Sequence, residues 1–158
     1  MTLPALGPRG EGWVLVQLLL LALIAVAGAG SVTAGWPPRD PVRIVAGAAL
    51  LVAGLVIVAR GSLDLGSNLT PMPRPREGAS LVESGVYRHV RHPIYVGVVT
   101  AALGWSVLTA SWLAFALSVV LLGFFDLKAR REERWLVDHV PGYEGYRRRT
   151  SRFIPGLY

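Results

Sequence analysis

Long charge-free runs alternate along this chain with short, strongly charged ones. Residues 13–34 carry no charge, and Gln17 is their only strongly polar side chain. At 1.5 Å per residue that run crosses a hydrocarbon core of ~30 Å as one helix. It exceeds the roughly 7–15 apolar residues of a signal-peptide core, so it reads as a retained span. Gly28 and Gly30 weaken its helix propensity but permit close helix approach. The stretch GWPPRDP that follows holds three prolines and predicts a turn. A second apolar run, bracketed by Arg43 and Arg60, gives a candidate span over 43–60. It is short, and the flanking arginines can reach the interfaces. Residues 94–125 are again free of charge, and one helix of that length overshoots a bilayer. Thr109, Ala110 and Ser111 lie near its middle and can turn. Two short antiparallel helices are therefore predicted, over 93–108 and 112–127. Pro93 takes a first helical position, where its missing N–H costs little. Trp105 and Trp112 flank the turn, as interfacial tryptophans do.

The polar segments are 61–92 and 128–158. In the first, Pro71, Pro73 and Pro75 impose extended or irregular backbone. Asp64 and Asn68 read as ordinary loop residues. Asn68-Leu69-Thr70 matches a glycosylation sequon, a short match on the side of the membrane where it has no use. In the second, the charged run after Asp126 predicts a helix continuing out of the membrane through residue 139, stopped by Pro141-Gly142.

Composition sharpens this picture. Hydrophobic residues make up 53% and mean hydropathy is +0.47, too apolar for an ordinary soluble domain. The expected fold is an all-α integral membrane bundle of about four transmembrane helices, one domain over 1–158, with a cytoplasmic C-terminal helix and tail. The net charge is +6, and the arginines cluster beside apolar runs. Anionic lipid headgroups are therefore the expected counter-ions, not nucleic acid. Most of the Lys and Arg fall in 60–91 and 128–152, and only Arg39 and Arg43 flank the first turn. The positive-inside rule then predicts a multi-pass protein with both termini cytoplasmic. The absence of cysteine excludes disulfides, thiolate metal sites and a cysteine nucleophile. His89 and His92 are three apart and His139 is remote, with no H-E-x-x-H pattern, so no metal site is expected.

The predicted hairpin brings two distant groups together. Tyr87, Arg88, His89, Arg91, His92 and Tyr95 precede or open its first helix; Arg131, Glu132, Glu133 and Arg134 close its second. Such a group suits a zwitterionic ligand. The acids can take an ammonium, Arg91 or His92 a carboxylate, and tyrosines with apolar walls a flat ring. Each piece also has a plainer role. A His-Pro pair caps helices, adjacent glutamates form solvated faces, Arg147 to Arg149 can anchor headgroups, and Tyr143 and Tyr146 can sit in an interfacial belt.

Residues 81–97, LVESGVYRHVRHPIYVG, resemble the signature of the isoprenylcysteine carboxyl methyltransferase family, which groups with the phospholipid methyltransferases. Glu132-Glu133, Gly142-Tyr143 with Tyr146, the arginines at 147–149 and Ile154-Pro155 follow in matching order. The resemblance runs from residue 63 onward and implies a membrane-embedded methyltransferase that uses S-adenosylmethionine without a Rossmann-type domain. It implies that Leu81, Val82 and Tyr87 line the cofactor pocket and that His92, Pro93, Ile94 and Tyr95 contact the cofactor. Glu132 would bind its amino group or ribose, with Arg91, Tyr143 and Tyr146 in the same pocket. Lys128, Arg131 and Glu133 are candidates for the acceptor side. The acceptor is a lipophilic molecule or lipid, carrying either a carboxylate, as in a prenylated cysteine, or an amine. An amine would need a base such as Glu133 or His92; a carboxylate needs none. The first two helices are expected to shape the acceptor's tunnel.

Two other readings compete. Membrane reductases resembling steroid 5-alpha-reductase share R-H-P-x-Y-x-G and bind NADPH, but an acidic residue commonly follows their glycine. Here Val98 follows Gly97, and the Glu132-Glu133 pair favours the methyltransferase. A non-catalytic membrane scaffold is the third reading.

Overall fold

The computed structural model describes residues 10–30, 40–72 and 80–156. These residues form five helices: α1 (Glu11–Ala29), α2 (Pro41–Leu65), α3 (Pro93–Leu108), α4 (Trp112–His139) and α5 (Tyr143–Arg149). The end of the first predicted span, most of the turn before Pro41 and most of the proline–arginine stretch lie outside the described residues.

Local chemistry accounts for the helix starts. Asp40 accepts a hydrogen bond from the Val42 amide at 2.9 Å and Pro41 follows it, a cap and a first-turn proline in sequence. α3 opens on Pro93 and α4 on Ser111, whose Oγ accepts from the Ala114 amide at 3.2 Å. Thr109 to Ser111 make the predicted turn, with Ala110 at φ 55. Ser111 also donates to the Ala27 carbonyl at 3.0 Å, pinning α1 to the hairpin.

Two boundaries depart from expectation. α1 starts at Glu11, two residues before its apolar run. α2 runs through Arg60 and Gly61 to Leu65, so its last turn occupies the start of the polar segment expected to follow the span. Gly61 does not stop the helix because it is packed against Ile94 and Pro93. The break comes at Gly66, where φ reaches 52.

α2 and α3 are antiparallel and touch backbone to backbone. Gly47, Gly54 and Gly61 recur every seventh residue on α2, as do Gly97 and Gly104 on α3. A Cβ at Gly54 would lie 2.4 Å from the Ala101 nitrogen, and one at Gly104 2.3 Å from the Leu51 nitrogen. Small residues at both surfaces let dispersion act over the whole contact, which is what holds helices together in lipid. Arg43 closes the far end, donating to the carbonyls of Val107 and Leu108 at 2.8 and 2.7 Å. α1 leans on α3 and α4 around a core of Ile24, Val99, Ala102, Ala114, Leu121 and Phe125.

Leucines and valines cover the outside of α1, α2 and α4, among them Leu19, Val52 and Val120. These three helices are long and apolar enough to cross a membrane, and the protein is an integral membrane helical bundle. α3 has 16 residues, about 24 Å, roughly one turn short of the ~30 Å core. α4 is one continuous helix of 28 residues whose charged end projects beyond the apolar part. The segment read as a basic tail holds one more helix. Gly142, at φ 84, turns the chain into α5, and Tyr143 and Tyr146 are buried rather than lying in an exposed belt. Beyond α5 the chain returns to the start of α3. The Arg91 amide donates to the Ser151 carbonyl at 2.9 Å and the His92 amide to the Arg152 carbonyl at 3.2 Å.

Candidate active site

The α3–α4 hairpin does what its sequence predicts: it brings the Arg-His-Pro-x-Tyr segment against the paired glutamates. Tyr95 Oη donates to Glu132 Oε2 at 2.7 Å. The Tyr95 ring stacks between Phe125, at 4.4 Å between centroids, and His92, at 5.2 Å. His92 Nδ1 stands 3.8 Å from Glu132 and its Nε2 3.3 Å from Glu133. One imidazole therefore bridges two carboxylates of different roles.

Glu133 faces away from solvent, with 2% of its side chain exposed. Its oxygens take Arg91 Nε at 2.8 Å and Arg152 Nη2 at 3.0 Å. Arg91 also donates to the carbonyls of Arg147 and Thr150, and Arg152 to Asp126 at 3.0 Å. These bonds join α3, α4, α5 and the last residues. Glu132, one position earlier, points the other way, onto a cavity of about 330 Å³. That volume is in the range of ~300–1,000 Å³ usual for small-molecule sites.

Eleven of the residues singled out in the sequence reach this cavity: Leu81, Val82, Tyr87, Arg91, His92, Ile94, Tyr95, Lys128, Glu132, Tyr143 and Tyr146. Three do not. Glu133 is behind His92, held by its arginines. Pro93 is fully buried beside Gly61, where it opens α3. Arg131 is half-buried on another face of α4. The helical period separates it from Lys128 and Glu132, which lie one turn apart on the cavity side.

Other wall residues were unmarked in the sequence. Gln17 comes from α1, and Asn68 and Thr70 from the loop after α2. Asn68 Oδ1 accepts from the Ser80 amide at 3.3 Å, holding that loop to the segment that leads into Leu81. Asp64 is likewise no ordinary loop residue. It sits in the last turn of α2, and its Oδ2 accepts from the Val86 amide at 2.9 Å. That bond fixes the turn at 85–88, where Gly85 has φ 58 and leaves no room for a Cβ beside Asp64. Tyr87 then donates to the Gly61 carbonyl at 3.2 Å, and Tyr146 to the Tyr87 carbonyl at 2.7 Å. Burial pushes the Tyr87 and Tyr143 hydroxyls well above the ordinary tyrosine range, and Tyr146 up to about 12. All three stay neutral donors across the physiological range.

Lys128 is the least conventional member. It is 1% exposed, and its ammonium hydrogen-bonds to neutral oxygens. Nζ donates to Gln17 Oε1 at 2.6 Å and to the Pro71 carbonyl at 3.0 Å, and lies 5.3 Å from the Tyr95 ring centre. A carboxylate (Glu132) and an ammonium (Lys128) thus face one pocket over an aromatic stack. The donor set is complementary to a ligand carrying a cation, a flat ring and, nearby, an anion.

The sequence model of the phospholipid methyltransferase family matches residues 42–140. Among curated proteins, the chain is similar to protein-S-isoprenylcysteine O-methyltransferase of Schizosaccharomyces pombe, with 40% identity over 77 residues, 48% of this chain and 33% of that protein. The protein of the same name in Dictyostelium discoideum is 29% identical over 120 residues, 71% of this chain and 49% of that one. The cobalt-zinc-cadmium resistance protein CzcN of Cupriavidus metallidurans is 35% identical over 83 residues, 52% and 38% of the two chains. The matched stretches span from a third to about half the length of these relatives.

Proposed function

Because the chain belongs to the phospholipid methyltransferase family, we propose that it is a membrane methyltransferase that uses S-adenosylmethionine and an anionic, lipophilic acceptor. The observation that carries the reading is the paired charge of the cavity: Glu132 and Lys128, one turn apart, the first at the Tyr95 hydroxyl and the second near its ring. When bound, S-adenosylmethionine supplies a methyl group already activated by the positive charge on its sulfur. The chain's own work is positioning.

Glu132, oriented by Tyr95, takes the amino group of the donor. Tyr87, Tyr143, Tyr146, Leu81 and Val82 wall in its ring; Arg91, His92 and Ile94 set the floor from which α3 rises, with Pro93 buried behind them. Lys128 belongs to the acceptor. The Lys128 ammonium hydrogen-bonds to neutral oxygens, with Glu132 one turn away, and an acceptor carboxylate gives it a direct ion-pair partner. An ammonium-bearing acceptor is repelled at the same place. A carboxylate is already ionised at neutral pH and requires no proton removal, which fits a site where Glu133 is committed to two arginines. The excess of Lys and Arg at this end of the bundle supports a cytoplasmic site, reached by the donor from water and by the acceptor from the bilayer.

Two substitutions separate the roles. Glu132→Gln is expected to weaken S-adenosylhomocysteine binding about ten- to a hundredfold, the worth of one charge-assisted hydrogen bond, while the protein still inserts and melts as before. Unchanged affinity by calorimetry removes Glu132 from the donor site. Lys128→Met is expected to leave that affinity intact and to lower transfer to a carboxylate acceptor by a similar factor. The function itself is tested with methyl-labelled S-adenosylmethionine and N-acetyl-S-farnesylcysteine in nanodiscs. Label released by base as methanol, the mark of a methyl ester, is the expected result. Label found only in amine-bearing lipids contradicts the assignment of Lys128.

A further inference from the structure

Gln17 is the one strongly polar side chain in the first charge-free run, and α1 turns it inward. Trp13, Gln17, Ile24 and Gly28 recur at the spacing of one helix face, the inner one, while Leu15, Leu18 and Leu19 are exposed. Gln17 lines the same cavity as Lys128 and Glu132. A side-chain amide within a membrane helix ordinarily serves as a bond to another helix, and one end of this amide does so. Its Oε1 accepts from Lys128 Nζ at 2.6 Å, which ties α1 to α4.

That bond fixes which way the amide points. An ammonium has only donors, so it faces the amide oxygen, and Nε2 with its two N–H groups is turned away from it. Among the described residues Nε2 has no hydrogen-bond partner. Asn68, the other amide in the wall, differs: both its ends are committed to Ser80, at 3.3 and 3.4 Å. Lys128 uses two of its three N–H groups, on Gln17 and on the Pro71 carbonyl. One N–H of Lys128 and the amide of Gln17 are therefore left over, side by side in the wall of one cavity.

Resting on the methyltransferase reading and its carboxylate acceptor, we infer that Gln17 is a second binding residue for the acceptor's anionic group, Nε2 donating to one carboxylate oxygen while Lys128 donates to the other. Each oxygen keeps a further lone pair for the incoming methyl group. The same arrangement makes Gln17 a determinant of specificity. A glutamate in its place would pair with Lys128 inside the wall and cancel the charge that the acceptor needs; the neutral amide holds Lys128 in position and leaves its charge open. A carboxamide presents one oxygen and one NH2 group. It satisfies Lys128 but meets Gln17 donor to donor, so the pair distinguishes a carboxylate from its uncharged isostere.

The test compares N-acetyl-S-farnesylcysteine with its carboxamide, titrated calorimetrically into the protein in nanodiscs and corrected for empty nanodiscs. The wild type should bind the carboxylate about ten- to a hundredfold more tightly. Gln17→Met, close in length, should lose about tenfold in carboxylate affinity and leave the carboxamide unchanged. Gln17→Glu should reverse the preference, because its carboxylate accepts from the carboxamide NH2 group and repels the anion. S-adenosylhomocysteine affinity should stay the same in both variants, which also shows that they are folded. If Gln17 only held α1 against α4, both ligands would weaken together; a carboxylate preference that survives both substitutions overturns the inference and leaves Lys128 as the sole anion site. A wild type that does not discriminate overturns the assignment of Lys128 and this inference with it. Failure of the wild type to bind S-adenosylhomocysteine defeats the methyltransferase reading separately, and the ratio of the two farnesyl ligands still decides whether Gln17 reads the anion.

Discussion

Removing the Glu133 carboxylate is expected to destabilise the site end of the bundle by about 3–5 kcal/mol, the usual cost of stripping one partner from a buried charge group. Glu133→Ala leaves Arg91 and Arg152 facing each other, with side chains 9% and 16% exposed. The same substitution cuts the link from Arg91 to α4 and leaves Arg152 tied to α4 through Asp126, so the junction of α4, the start of α3 and the residues after α5 is weakened. Against a typical total stability of about 5–15 kcal/mol the loss is large. Thermal unfolding in detergent should fall sharply, and trypsin should cut near residues 147–152 well before the bundle melts. Glu133→Gln separates this structural role from a catalytic one. It should lower both melting and turnover, with Arg91→Gln in the same background recovering part of the melting temperature. Lost turnover at unchanged melting temperature is the signature of a base, and the anchoring role then fails.

Gly54→Leu is expected to prevent α2 and α3 from docking. Its Cβ would fall 2.4 Å from the Ala101 nitrogen and 2.5 Å from the Gly97 carbonyl oxygen. Both are backbone atoms, so no rotamer change relieves the clash. Overpacking of side chains commonly costs about 1–3 kcal/mol, and here entire helices must part, so the effect lies at or above the top of that range. Gly123 is the control. It is exposed on α4 with nothing within 4 Å of an added Cβ. Gly123→Leu should elute from a sizing column as the wild type does, while Gly54→Leu should aggregate or fail to accumulate. Equal yield and elution of the two variants refutes the backbone contact.

The contrast between these glycines shows what the residue pattern conveys and what it withholds. α3 and the start of α4 were legible because charge-free runs, a proline and a capping serine set their limits locally. The pairing of Tyr95 with Glu132 followed from the hairpin between them. The end of α2 was not legible, since the apolar run stops at Arg60 and nothing in the local pattern shows α3 packed against Gly61. α5 was masked by its arginines, which face outward while Tyr143 and Tyr146 turn in. That Arg91 reaches the cavity and also holds Glu133 was not legible, because charge alone does not distinguish a residue facing a ligand from one facing another residue. Gln17 was beyond reach for a different reason: its bond to Lys128 joins residues 111 positions apart. The cavity residues of the Arg-His-Pro-x-Tyr segment are legible as a motif; the wall that Gln17 supplies depends on how α1 docks.

The central claim is a donor pocket selective for S-adenosylmethionine, and calorimetry on the detergent-purified protein tests it most directly. S-adenosylhomocysteine and NADPH are titrated in parallel into wild-type protein and Glu132→Gln. The account predicts micromolar binding of S-adenosylhomocysteine to the wild type, weakened in the variant, and no binding of NADPH to either. Binding of NADPH alone contradicts it and assigns the shared Arg-His-Pro-x-Tyr-x-Gly element to a reductase.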